Sequence, residues 1–248
     1  MKKSATTTAN PFLRRACLVE AGFDRAQHPF NVPAFAGGID LTFDRNVTFF
    51  VGENGSGKST LLEAIARKAG FPAQGGSRDH SVDAPGEEEG DLASALRLSW
   101  LPKVSDGFFM RAESFFNFAT YIDQVSSLSR YGGVRLHEQS HGESFLALFT
   151  HRFERGIFLL DEPEAALSPQ RQLAFLKVIR DLEAAGRAEF IICSHSPILL
   201  AYPGATLLSL DGGGIAPIAY QETQHYQVTK QFLDSPERFF KHLFAVDG

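Results

Sequence analysis

The chain has 248 residues, 44% of them hydrophobic, and a formal charge of −5 at pH 7. This length suits one α/β domain with a small inserted lobe, and the apolar share excludes a disordered chain. The acidic balance argues against a chain that wraps nucleic acid unaided, because phosphate contacts need clustered Lys and Arg, although a local basic face would still serve such a partner.

Residues 1–11 read as a loose tail, basic and then Thr-rich, with no apolar core behind it, so no secretory signal is expected. Ala16–Glu20 and Ile39–Phe43 read as strands. Asn46–Val51 is a stronger one, β-branched and aromatic, and it runs straight into a Gly-rich turn. Ser59–Ala69 then predicts a helix closed by Gly70. Residues 72–91 are dominated by Gly, Pro, Ser and acids, with Glu87–Glu89 in a row, and read as a surface loop. Leu96–Leu101 is a candidate strand. Ser114–Leu128 predicts a helix, with Phe115, Phe118, Ile122 and Val125 at three-to-four spacing, and Ser144–Phe153 predicts another. These segments form a helical and loop lobe at about 72–150, inserted in a single domain that covers 1–248.

The pattern of a parallel sheet then returns. Gly156–Leu160 and Glu189–Cys193 are continuous apolar runs, as expected of strands buried on both faces. Between them Ser168 is placed to cap a helix, with Pro169 at its first position, Gly186 at its end and Leu173, Leu176, Ile179 and Leu182 as its apolar stripe. Thr206–Leu210 and Ile215–Tyr220 read as a hairpin joined by Gly212–Gly214, and Pro236–Val246 as a closing helix. The longest apolar stretch, Pro197–Leu210, is broken by Pro203 and Gly204 and is too short to span a bilayer. The expectation is a cytoplasmic protein without direct membrane insertion. The two cysteines, Cys17 and Cys193, sit in apolar runs and read as buried thiols of a reducing compartment rather than a disulfide.

Two segments carry chemistry. Gly52-Glu53-Asn54-Gly55-Ser56-Gly57-Lys58-Ser59, followed by Thr60, fits G-x-x-x-x-G-K-[ST] at every fixed position. Glycines let backbone N–H groups turn inward around phosphates, Lys58 reaches the terminal phosphates, and the Ser59 hydroxyl suits Mg²⁺. The helix that starts there aims its positive end at the same anion. A Gly-rich turn that binds nothing is the other reading, but a strand before and a helix after are the setting the motif requires. The second segment is Ile157-Phe158-Leu159-Leu160-Asp161-Glu162, four apolar residues and then two acids. A buried strand with this ending puts both carboxylates at the carboxyl edge of the sheet, where the phosphate loop also lies. Asp161 is the candidate Mg²⁺ ligand, and Glu162 the group that orients or deprotonates the attacking water. A solvated acidic turn is the competing reading.

With these parts in hand the chain resembles the ABC-type P-loop ATPases, in particular the soluble RecF-like and OLD-like group of AAA-family ATPases. Ser140-His141-Gly142-Glu143 is similar to the family signature, with Gln139 in place of its Leu and His141 in place of its first Gly. An ordinary helix cap, Ser140 with Glu143, is compatible with the same residues. Ile191-Ile192-Cys193-Ser194-His195-Ser196-Pro197 looks like the segment that carries the family's switch histidine, which makes His195 a candidate to touch the γ-phosphate. Asp161-Glu162-Pro163-Glu164-Ala165-Ala166-Leu167-Ser168-Pro169 resembles the D-loop region, with Ser168 where the family usually has Asp.

The resemblance implies an α/β P-loop NTPase core with a mostly parallel sheet and a small helical lobe. It implies ATP and Mg²⁺ as ligands and hydrolysis of ATP to ADP and phosphate by Lys58, Glu162 and His195. It also implies a homodimer formed on ATP binding, in which Ser140 and Gly142 of one chain close over the nucleotide held by the other. Glu113 and Gln124 are the candidates for the Gln that contacts Mg²⁺ and water, with an Arg111–Glu113 surface ion pair as the alternative. Phe30, Phe35 and Phe43 are candidate adenine-stacking rings or core residues. Service in DNA maintenance or defence, the ATPase subunit of a membrane transporter, and a non-enzymatic nucleotide switch are the three uses to be separated, the effector partner being unknown.

Overall fold

The computed structural model describes residues 11–19, 23–78, 91–111 and 155–244. Among these residues, the sheet at its centre has six strands in the order β5-β6-β7-β3-β8-β9. These are β3 (Val47–Val51), β5 (Gly107–Arg111), β6 (Gly156–Asp161), β7 (Ala188–Cys193), β8 (Thr206–Ser209) and β9 (Ala216–Pro217). The first five of the order run parallel, and only β9 pairs antiparallel, with Ser209 opposite Ala216. A smaller antiparallel sheet, β2-β1-β4, is built from β1 (Leu13–Leu18), β2 (Asp40–Thr42) and β4 (Leu96–Trp100). The fold is α/β and of the P-loop kind, as the sequence implies.

The continuous apolar runs are explained by two cores, one on each face of the large sheet. Successive side chains of a strand point to opposite faces. Phe50, Phe109, Leu159, Ile191 and Cys193 therefore pack with Leu61 and Ile65 of helix α1 (Lys58–Lys68) and with Leu13 and Leu96 of the small sheet. Their neighbours Phe49, Phe108, Phe158, Phe190 and Ile192 face the other way. They meet Phe175 and Ile179 of α3 (Pro169–Ala184) and Leu199 and Leu200 of α4 (Pro197–Leu200). Each such side chain, fully removed from water, contributes roughly 1.5–3 kcal/mol. A short helix, α2 (Leu92–Ala95), leads into β4, and Asp91 caps it by accepting from Ala93 N.

Several sequence expectations need correction. The expected stripe of α3 holds in part: Ile179 is buried, Leu176 and Leu182 pack partly buried against the core, and Leu173 is exposed. Gln172, Phe175 and Glu183 are buried alongside Ile179. The two polar members are tolerated because Gln172 Nε2 donates to Leu167 O (3.0 Å) and Glu183 accepts from Tyr202 OH (2.6 Å). Ser168 stands at the N-cap of α3, but its side chain makes no capping bond. Strand β5 falls where no strand was expected. Gly107 permits its close approach to β6, because a Cβ there would lie 2.1 Å from Ile157 O. The cysteines are free, as expected, although Cys17 is only partly buried. Phe30, Phe35 and Phe43 are all buried in the core, so none offers a ring face to a base.

Beyond the hairpin the chain continues into α5 (Gln224–Asp234), which the sequence did not announce, and α6 (Pro236–Leu243). Neither helix buries a residue. Their aromatic rings contact one another, Phe232 against Phe239 and Phe240, and Phe240 stacked on Phe244. Among the described residues no helix is long and apolar enough to cross a membrane.

Candidate active site

Strand β7 lies between β6 and β3, and these three strands end at one edge of the sheet. The Gly52–Ser59 loop leaves β3, Asp161 and Glu162 leave β6, and Ser194 and His195 leave β7. The loop is braced from outside. A Cβ on Gly57, where φ is +100°, would sit 2.8 Å from Val32 Cγ1 and 3.0 Å from Phe35 Cζ, so a side chain has neither the backbone angle nor the space. On the far side Asp211 Oδ1 accepts from Glu53 N at 3.0 Å. Glu53, Asn54 and Gly55 form the exposed crest of the loop, while Ser56, Gly57, Ser59 and Thr60 are half-buried.

Lys58 is buried, 4% exposed, and its Nζ donates to Gly52 O (2.7 Å) and Glu53 O (2.8 Å). The ammonium is thereby held against the loop it belongs to. Helix α1 begins at Lys58 after Gly57, which is left-handed and supplies no side-chain cap. Its first N–H groups thus receive no bond from an N-cap side chain and carry the positive end of the helix dipole. Ser56 Oγ is buried and makes no hydrogen bond among the described residues.

The two sequence segments meet at Ser59, whose hydroxyl donates to Asp161 Oδ1 at 2.9 Å across 102 positions of chain. Burial pushes the Asp161 carboxyl above its usual range, Glu162 adds to that, and the Ser59 bond and Arg111 oppose it. Burial likewise pushes the adjacent Cys193 thiol up and keeps it neutral. Arg111 pairs with Glu63 of α1, while Glu113, its alternative partner from the sequence, lies outside the described residues.

Glu162 is the only non-glycine residue with positive φ among the described residues, at +47°. Its N–H donates to Cys193 O (3.0 Å), and its Oε1 lies 3.3 Å from His195 Nε2. Glu164 fixes the turn that carries His195. Its Oε1 accepts from Ser194 Oγ (2.9 Å) and from His195 N (2.5 Å). Burial raises the Glu164 carboxyl, and these donors pull it back. On its other side His195 Nδ1 lies 2.7 Å from His225 Nε2.

Lys58, Ser59, Asp161, Glu162 and His195 are therefore brought together. Ser140 and Gly142, with Glu113 and Gln124, lie outside the described residues. Sequence reading gave no role to Glu164, Asp211 or His225. Glu164 was within reach, three positions after the strand-end Asp161, but Asp211 at the start of a Gly-rich turn and His225 in a polar segment belong to no motif.

A family model described as "AAA domain" matches residues 30–83, and one described as "AAA domain, putative AbiEii toxin, Type IV TA system" matches 97–201. The thiamine import ATP-binding protein ThiQ of Cereibacter sphaeroides is 31% identical over 185 residues, which cover 67% of this chain and 78% of that one. The chain belongs to the ABC-type P-loop ATPases of the AAA group. This ABC-type ATPase binds ATP and hydrolyses it. Among solved structures, CbiO1 of Clostridium perfringens, part of the ABC transporter complex CbiONQ, shares 16% identity with a TM-score of 0.45, over 93% of this ATPase and 98% of that chain. The SMC head domain from Thermotoga maritima shares 15% identity with a TM-score of 0.46, over 84% and 99%.

Proposed function

We propose that this ATPase works as a nucleotide sandwich, two copies joined head-to-tail around two magnesium–ATP complexes. The observation that carries the reading is the Ser59–Asp161 contact of 2.9 Å beside the Lys58 loop, which joins the phosphate cradle to the paired acids. The residues suit the ligand. The uncapped start of α1, the unpartnered Ser56 hydroxyl and Lys58 are donors for a polyphosphate. Ser59 and Asp161 are hard oxygen ligands of the kind Mg²⁺ takes, and the ion would neutralise charge on the β- and γ-phosphates. Glu162 accepts a proton from, or orients, the attacking water. His195 donates to the γ-phosphate edge, and the backbone and Lys58 stabilise charge there. Ser140 and Gly142 act in trans on the partner's nucleotide, from a lobe at about 72–150 inserted in the single domain 1–248.

Glu162→Gln tests this reading. The variant should hold ATP, lose about 10²–10⁴ in kcat and form a dimer by light scattering. A variant that stays monomeric at saturating ATP would remove the sandwich.

Two biological settings have support. The family description that names an AbiEii toxin favours a stand-alone enzyme of defence or DNA maintenance. The thiamine-import relative favours the ATPase subunit of a membrane importer. DNA-stimulated turnover points to the first, and co-purification with an integral membrane protein to the second.

A further inference from the structure

The C-terminal segment reaches back to the switch turn. Thr223, 1% exposed, is the N-cap of α5. Its Oγ1 donates to Tyr220 O (2.7 Å) and accepts from Tyr226 N (3.3 Å). Tyr220 OH donates to Pro197 O (2.8 Å), two residues past His195, and the Tyr220 and Tyr226 rings pack 4.7 Å apart. These contacts fix the first turn of a helix that is otherwise unburied, and that turn presents His225 to His195 at 2.7 Å.

Two neutral imidazoles at this distance share one proton, so one ring donates and the other accepts. If His195 donated from Nδ1, the lone pair of its Nε2 would face Glu162 Oε1 at 3.3 Å, acceptor against acceptor. If His225 donates, His195 carries its proton on Nε2 and faces the carboxylate as a donor. The second arrangement removes the repulsion and is the one the charges select. Burial, with Lys58 nearby, lowers the affinity of both rings for a second proton, which keeps the pair from setting N–H against N–H.

We propose that His225 is a positioning residue for ATP hydrolysis: it donates to His195 Nδ1 and so holds His195 as an Nε2–H donor on the Glu162 side. The inference rests on the reading of His195 as the γ-phosphate histidine. It makes the α5 N-terminus part of the catalytic apparatus, acting through another side chain.

The tautomer is read in the full chain without nucleotide, from isotope-labelled imidazole nitrogen spectra with His195 assigned by His195→Ala. Wild type should show Nε2–H. His225→Ala should drift toward a mixture, and His225→Gln, whose amide N–H can replace the donor, should keep Nε2–H. In steady-state kinetics His225→Ala should lose about tenfold in kcat with KM for ATP within about twofold. His225→Gln should recover most of it. The double variant His195→Ala/His225→Ala should match His195→Ala alone, since two residues that act as one unit do not add. An Nδ1–H tautomer in wild type, full kcat in His225→Ala while His195→Ala is impaired, or a multiplied loss in the double variant overturns the inference. Full kcat in His195→Ala would instead remove the role of His195 itself. Should His225→Ala fail to fold, the wild-type and His225→Gln tautomers decide.

Discussion

The two ends of the β6–β7 strand pair both carry carboxyl groups withdrawn from water, half-buried at one end and fully buried at the other. At the carboxyl end Asp161 and Glu164 meet side-chain hydroxyls, the backbone N–H of His195 and the Lys58 loop. At the amino end Glu189 is 1% exposed, and its Oε2 accepts from Phe12 N and Leu13 N, both at 2.8 Å. It stitches the start of the small sheet to the large one. Burial pushes its carboxyl up to about 8, against the pull of the two N–H groups and Arg14. Burial raises the acids at both ends, so a perturbed carboxyl does not by itself mark catalysis. What separates the two ends is the company: side-chain hydroxyls beside a lysine and a histidine at one, backbone N–H groups at the other.

Lys58→Ala breaks the contrast most severely. Losing a charged donor to a transferring phosphoryl group should lower kcat/KM about 10²–10³-fold, about 3–4 kcal/mol. Calorimetric titration with ATP should show the loss in affinity, while the melting temperature changes little. Glu189→Gln probes the structural end. In the folded chain Glu189 keeps its proton to about 8, whereas the unfolded group releases it near 4.5. The folded state thus holds more protons in that window, and stability falls as pH rises through it, by up to about 1.4 kcal/mol per pH unit. Glu189→Gln should remove that slope in denaturant titrations at pH 5, 6 and 7 with ATPase activity intact; an unchanged slope would mean that the carboxyl is ionised throughout. The smallest effect is expected from Thr223→Ala. Loss of the cap should cost about 0.5–1 kcal/mol, seen as faster amide exchange in α5 with the two sheets unaffected.

The large sheet was legible because parallel strands buried on both faces spell out apolar runs, and Val47–Val51, Gly156–Asp161 and Ala188–Cys193 do so almost without interruption. The phosphate loop was legible because its chemistry constrains residue type at consecutive positions. What escaped was set by tertiary contact. β5 is short, and its identity comes from pairing with β6. α5 has no buried face, so its periodicity carries little signal. The stripe of α3 was legible in Leu176, Ile179 and Leu182, but the polar members of its inner face were not, because Gln172 and Glu183 find partners far along the chain, Ser196 and Tyr202. Asp211 and His225 brace the site through single contacts between remote segments, which no spacing rule encodes.

Glu162 has one more consequence. A left-handed backbone at a residue that carries a Cβ costs about 1–2 kcal/mol, and here that conformation turns the chain off the strand directly behind Asp161. Glycine would adopt the same turn without that steric penalty, though with a more disordered unfolded chain, and would leave His195 Nε2 without the carboxylate 3.3 Å away. Local backbone ease is given up here to hold one acid group in place.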